Sequence, residues 1–185
     1  MQEGVSQHAT VLDVIDRRRS VRAYADDAID ERQLRQILEA ANAAPSAGNL
    51  QAYEIYLVRE QDLRRQLAAA ALSQDFLACA PIVLVFCANP RRNQARYGDR
   101  GRDLYAIQDA TIACTFAMLA ATALGLATVW VGAFREGEVR RVVGAAPHER
   151  PVALLPVGVA GESPDRPPRR SLDRLVHEVW LLGAP

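Results

Sequence analysis

Residues 110–134 read ATIACTFAMLAATALGLATVWVGAF, and no charged side chain interrupts them. A run of this length can cross a bilayer. Its composition changes at Leu124-Gly125, where a glycine can end a helix. Thr128-Val129-Trp130-Val131 follows, β-branched and aromatic, and reads as a strand. Neither end carries a close run of basic residues to anchor at a membrane interface. The expectation is therefore a helix over about Leu104–Leu124 and a strand over Ala127–Val131, with no membrane span. A helix that is apolar all round must be buried on every side. A chain of 185 residues has difficulty covering one alone, so a partner subunit is expected.

Working outward, Thr10 can cap a helix over Val11–Arg17 with Val11, Leu12 and Ile15 apolar. Asp30 starts a second helix, and Gln33 makes a capping box possible. Leu34, Ile37, Leu38 and Ala41 fall on one face of it. Tyr53–Val58 reads as a strand and Gln61–Leu72 as a helix. Pro81–Ala88 has the pattern of a strand buried on both faces. Asn89–Arg102 reads as a polar, arginine-rich connection. Glu136–Val143 reads as a short helix that Gly144 ends. Val152–Val159 reads as a second buried strand, broken in composition by Pro156. Gly161–Pro168 reads as surface, and Leu172–Leu182 as amphipathic and able to pack on another chain. Two helices precede the first strand, which predicts an α+β fold with a mixed central sheet flanked by helices. No repeat or linker divides the chain, so residues 1–185 form a single domain.

Basic and acidic side chains both total 22, and a zero net charge argues against a nucleic-acid partner. Cys79, Cys87 and Cys114 lie in apolar stretches without a C-x-x-C pair and read as buried free thiols of a reducing cytoplasm. His8, His148 and His177 have no ligand spacing, so no metal site is expected. Met1–Thr10 is polar, without the apolar core of a signal peptide. The sequence holds no G-x-x-x-x-G-K-S/T loop, no G-x-G-x-x-G after a strand and no G-x-S-x-G elbow.

Four segments could carry chemistry. Arg18-Arg19-Ser20-Val21-Arg22 offers guanidinium forks and a hydroxyl to a phosphate; alone it also reads as a solvated face at a helix end. Pro45-Ser46-Ala47-Gly48-Asn49-Leu50-Gln51 combines an unusual backbone with donors and acceptors suited to a flavin's pyrimidine edge; alone it also reads as a plain turn. Trp130-Val131-Gly132-Ala133-Phe134 ends a strand with small residues that let backbone N–H groups approach a flat ring, or simply leaves the core. Arg166-Pro167-Pro168-Arg169-Arg170-Ser171-Leu172 is a second phosphate clamp or a basic loop.

Taken in order, these segments resemble the nitroreductase family of FMN enzymes over nearly the whole chain. Arg18–Arg22 is similar to the family's amino-terminal flavin motif, and Ala44–Gln51 resembles its second motif closely. Ala120–Leu126 with Val129–Gly132 looks like its central helix and following strand, and Arg169 resembles its carboxy-terminal phosphate arginine. Two departures stand out: Gln51-Ala52-Tyr53 replaces a frequent Gln-Pro-Trp, and Arg170-Ser171 replaces a common Lys-Pro. The second leaves Arg166, Arg169 and Arg170 as rivals for the phosphate.

The resemblance implies an intertwined homodimer with two FMN molecules at the interface, the long apolar helix packing on its twin. It implies a ping-pong cycle in which NADH or NADPH reduces the flavin and a small organic acceptor (nitroaromatic, quinone or similar) is reduced in turn. Arg18, Arg19, Ser20 and Arg169 would hold the FMN phosphate. Arg22 would sit near N1 and O2, where a cation favours the reduced ring. Ser46 and Asn49, with Pro45, Ala47 and Gln51, would contact the ring or ribityl chain from the other subunit. Val131, Gly132 and Ala133 would bring backbone N–H groups to the N5 and O4 side. No side chain need act as nucleophile, since flavin N5 is the reacting atom. Three other readings stay open: another flavin chemistry on the same fold, a flavin-binding module without turnover, and a nucleic-acid binder built on Arg17–Arg22.

Overall fold

A computed structural model describes residues 10–180. Helix α1 (Val11–Arg17) is opened by Thr10 and Asp13, whose side chains and backbone amides satisfy one another in a capping box. Helix α2 (Glu31–Asn42) is capped by Asp30, which accepts from the Arg32 amide at 2.9 Å. The box expected with Gln33 does not form, because the Gln33 amide donates instead to the Leu124 carbonyl at 3.2 Å. After β1 (Tyr53–Val58) come α3 (Gln61–Ala70), the one-turn α4 (Phe76–Cys79) and β2 (Ile82–Ala88). Helix α5 (Pro90–Arg100) runs through a π-turn (Gly101–Tyr105) into α6 (Ala106–Ala123). Strand β3 (Ala127–Thr128), α7 (Glu136–Val143), β4 (Arg150–Gly158) and a turn at Leu172–Arg174 complete the described chain. Met1 to Ala9, with His8, and the end of the Leu172–Leu182 segment lie outside the described residues.

The strands stand in the order β1-β2-β4-β3, each antiparallel to its neighbours. The mixed character expected of the sheet is confined to one parallel bridge, Ser20 with Thr128. Strand β2 is buried from end to end and divides the core. Its Ile82, Leu84 and Phe86 face a layer that includes α2 and α6, with Leu34, Ile37, Ala110, Ala113 and Ala117 among the packed side chains. Its Val83, Val85 and Cys87 face the opposite layer, with Leu67, Leu77 and Val139 from α3, α4 and α7. This alternation is what a strand with period two requires between two apolar layers.

The strand expected over Ala127–Val131 is cut to two residues, and Pro156 explains the cut. Leu154 exchanges both backbone hydrogen bonds with Val131 at 3.0 Å, so its amide faces the β3 side. Pro156, two residues on, faces the same side but has no N–H to give. The ladder therefore stops at Thr128 and resumes at the isolated Val131–Leu154 bridge.

The helical run Pro90–Ala123 is long and apolar enough to span a bilayer by composition, yet Ala106, Ala110, Ala113, Cys114, Ala117 and Ala121 lie in the core against the sheet. Cys87 and Cys114 are buried, and burial pushes the Cys87 thiol up to about 12. Cys79, also expected to be buried, is exposed at the end of α4. On α1 only Val14 is buried; Val11, Leu12 and Ile15 face outward.

Candidate functional site

The capping box starts α1, and the chain turns extended at Arg18 (φ −56°, ψ 128°). Residues 20–25 then run beside the sheet. The Val21 amide donates to the Thr128 carbonyl at 3.1 Å and the Ala25 amide to Val159 at 3.0 Å. The Arg18 guanidinium is held below its usual range by partial burial first, then by the Arg169 and Arg19 charges. Arg19 is folded back on the Asp16 and Arg18 carbonyls at 2.5 and 3.0 Å. Arg22 donates its backbone N–H to the Glu162 carboxylate at 2.5 Å, and its side chain is directed at the Ser20 carbonyl. Arg166 pairs with Asp16, and Arg170 donates to the Arg174 carbonyl at 2.6 Å. Arg169 is thus the one of the three rival arginines whose charge acts on Arg18.

Strand β3 brings a third segment to this end of the sheet, because Thr128 bridges Ser20 and Val131 follows three residues later. Val131 is buried, while Gly132 and Ala133 are exposed. The Thr128 hydroxyl is buried and has no hydrogen-bond partner among the described residues. Gly132 and Phe134 line a groove of about 230 Å³ with Ile107, Pro151, Val152 and the Glu136–Arg150 ion pair (2.8 Å).

The loop 45–51 sits elsewhere. Ser46 is extended, and a single 3₁₀ turn covers Ala47–Asn49. Gly48, Asn49 and Gln51 all have positive φ (58°, 57° and 42°). Such angles are uncommon for residues with a Cβ. Gly48 has a second reason to be glycine, since a Cβ there would collide with the Tyr97 hydroxyl and the Arg96 guanidinium. Within the loop, Ser46 Oγ accepts from the Gln51 amide at 3.0 Å and Gln51 Nε2 donates to Asn49 Oδ1 at 2.7 Å. Pro45, Ser46 and Ala47 line a groove of about 540 Å³ with Tyr105, Gln108, Asp109 and Ile112 of the π-turn and α6. No hydrogen bond or ion pair among the described residues joins this loop to Arg18–Arg22 of the same protomer.

Two features escape a reading of the sequence. Asn89–Arg102, expected as a connection, is mostly helix α5, and Arg92 from it donates to the Leu50 carbonyl at 3.1 Å. Asp109, the last charge before the apolar run, is buried and accepts three hydrogen bonds, from the Ala47 and Ala52 amides at the two ends of the loop and from Asn93 of α5. The signal available was a lone carboxylate at the edge of an otherwise apolar helix.

Residues 15–74 and 69–159 match the Nitroreductase family, and the chain belongs to it. It is 35% identical, over 79% of its own length and 89% of the other's, to a Methanocaldococcus jannaschii protein named provisionally as a nitroreductase. It is 32% identical to the NADH dehydrogenase of Thermus thermophilus, covering 89% of this chain and 92% of that one. Among solved structures, the NADPH:FMN oxidoreductase of Vibrio harveyi complexed with NAD+ superposes with a TM-score of 0.84 at 26% identity. That match covers 95% of this chain and 79% of the other.

Proposed function

We propose that the protein is an FMN-dependent oxidoreductase that takes electrons from NADH or NADPH and passes them to a small organic acceptor, working as a homodimer in a reducing cytoplasm. The single observation that carries the reading is the arginine cluster around Arg18, whose part-buried guanidinium is held below its usual range by burial and then by the Arg169 and Arg19 charges; close by in the same segment, Ser20 bridges Thr128 of β3. Such a cluster calls for an anion, and guanidinium forks suit a phosphate monoester. The buried, unpartnered Thr128 hydroxyl next to Ser20 fits a polar group entering there.

FMN, when bound, supplies a ring that accepts two electrons from the nicotinamide and gives them to the acceptor. The chain's part is to hold and orient it. Arg18, Arg19, Ser20 and Arg169 hold the phosphate, and Arg22 lies along the same segment toward the ring. Gly132 and Ala133 offer backbone N–H groups just beyond β3; the Val131 N–H, expected from the sequence to join them, is already donated to the Leu154 carbonyl at 3.0 Å. Pro45, Ser46, Ala47, Asn49 and Gln51 complete the site from the partner subunit.

The homodimer is supported by unpartnered apolar surface. Val11 and Leu12 are 71% and 76% exposed. Val11, Val14, Ala40, Phe116, Leu119 and Ala123 line an apolar groove of about 440 Å³ between α1, α2 and α6. Monomers rarely leave large apolar patches open.

Fluorescence titration with FMN and with riboflavin, which lacks the phosphate, tests the reading. FMN is expected to bind at least about 10-fold more tightly, since charge-assisted hydrogen bonds are worth about 1.5–3 kcal/mol each. Equal affinities would remove the arginine cluster from the site.

A further inference from the structure

We infer that Asp109 is a positioning residue for the cofactor loop: its buried carboxylate on α6 ties down both ends of residues 47–52 and sets the geometry in which that loop meets the flavin. The inference rests on the flavin reading for its ligand, and on hydrogen bonds for everything else.

Asp109 is 2% exposed, and a carboxylate so buried is costly unless it is fully hydrogen-bonded. Its Oδ1 accepts from the Ala47 amide at 2.9 Å. Its Oδ2 accepts from Asn93 Nδ2 at 3.0 Å and from the Ala52 amide at 3.4 Å. Ala47 and Ala52 bracket the strained stretch: Gly48, Asn49 and Gln51, the residues with positive φ, all lie between them. Backbone in such conformations persists only where its surroundings over-determine it. The remaining restraints lie inside the loop or reach it from α5, its cap and the start of β1, where the Tyr53 amide donates to the Gln51 carbonyl at 2.8 Å. The Arg92 guanidinium holds Leu50, and the Asn89 amide donates to the Ala52 carbonyl at 2.8 Å.

Asp109 also lines the groove that Ser46 and Ala47 open into, so the side chain that fixes the loop stands at the wall of the site. It is carried by the rigid helix whose neighbouring turns are packed in the core. Loop and core are thereby referred to one frame.

The chemistry requires a carboxylate. Three N–H donors converge on two oxygens, and an ionised carboxylate is acceptor-only. An amide of the same shape has one oxygen. With that oxygen toward Ala47, its NH₂ group faces the Ala52 N–H; turned over, it faces the Ala47 N–H. One end of the loop is released either way. Asp109 touches no reacting atom in this scheme and acts through the loop.

The test is Asp109→Asn in the full chain, read in three ways. Hydrogen–deuterium exchange is expected to quicken in the peptide covering residues 45–52 and to stay unchanged in β2 and β4. FMN affinity is expected to fall about 10- to 100-fold, the range that corresponds to one charge-assisted hydrogen bond. At saturating FMN, the visible circular dichroism of the bound ring is expected to change, which a fold-wide loss of stability would not produce. Asn93→Ala keeps the carboxylate and removes one donor. It provides the same readouts should Asp109→Asn not fold, with a smaller loss of FMN affinity expected. Wild-type loop exchange or wild-type FMN affinity in Asp109→Asn would overturn the inference. So would an exchange increase spread evenly through β2 and β4. A wild-type protein that takes up no FMN would overturn the flavin reading, while the exchange of the loop would still decide the tie.

Discussion

At Arg18 the chain leaves α1, and the part-buried guanidinium is held below its usual range by burial and by the Arg169 and Arg19 charges. Like charges brought together repel one another, and a structure tolerates this where an anion is to be received. Arg166 differs in this respect, being already paired with Asp16. Arg18→Ala is therefore expected to weaken FMN binding about 10- to 100-fold and to leave riboflavin binding nearly unchanged. Arg166→Ala should cost FMN less than Arg18→Ala. Titration of both variants with both ligands checks this, and a wild-type FMN affinity in Arg18→Ala would contradict it.

Elements whose amphipathic pattern is intrinsic to them were readable from residues alone. The apolar face of α2 is buried at Leu34, Ile37 and Ala41, as its spacing requires. Helix α7 runs from Glu136 to Val143 and ends on Gly144 in the left-handed conformation (φ 67°, ψ 26°). A Cβ at Gly144 would meet nothing within 4 Å, so Gly144→Ala isolates backbone strain from packing. It is expected to destabilise by about 1 kcal/mol, checked by urea unfolding. An unchanged midpoint and slope would remove the strain argument.

What was hidden depended on distant partners. Helix α5 is polar almost all round, with Asn93 its one buried residue, so no apolar stripe announced it. Tertiary bonds from Asn93 to Asp109 and from Arg92 to Leu50 help hold it. Strand β3 was shortened by a proline in β4, well over 20 residues away. The four motif segments were visible in order, yet their separation into an arginine end and a loop end follows only from which side chains meet. Asp109 was silent for the same reason, since its loop partners lie 57 and 62 residues away in sequence.

For the molecule as a whole, α6 underlies both the core and the proposed dimer. One face is packed on the sheet, with Ala110, Ala113 and Ala117 fully buried. The other leaves Phe116 38% exposed beside the outward side chains of α1. An apolar surface with nothing laid on it favours association. Phe116→Asp is expected to turn the proposed dimer into a monomer in sedimentation and to lower FMN affinity at the same time, because in the proposed site the partner supplies loop 45–51. A dimer that persists, or a monomer with undiminished FMN affinity, would count against a site shared between subunits. All 22 basic residues of the chain are arginine, so every anion contact from a basic side chain is a guanidinium contact.

The most direct test of the central claim is the absorption spectrum of the purified protein, loaded with FMN and titrated without oxygen first with NADH and then, in a separate sample, with NADPH. The account predicts a bound-flavin spectrum that bleaches with at least one of the two and returns when an acceptor such as a quinone is added. A protein that takes up no FMN, or one whose bound flavin stays oxidised with both nicotinamides, would contradict it.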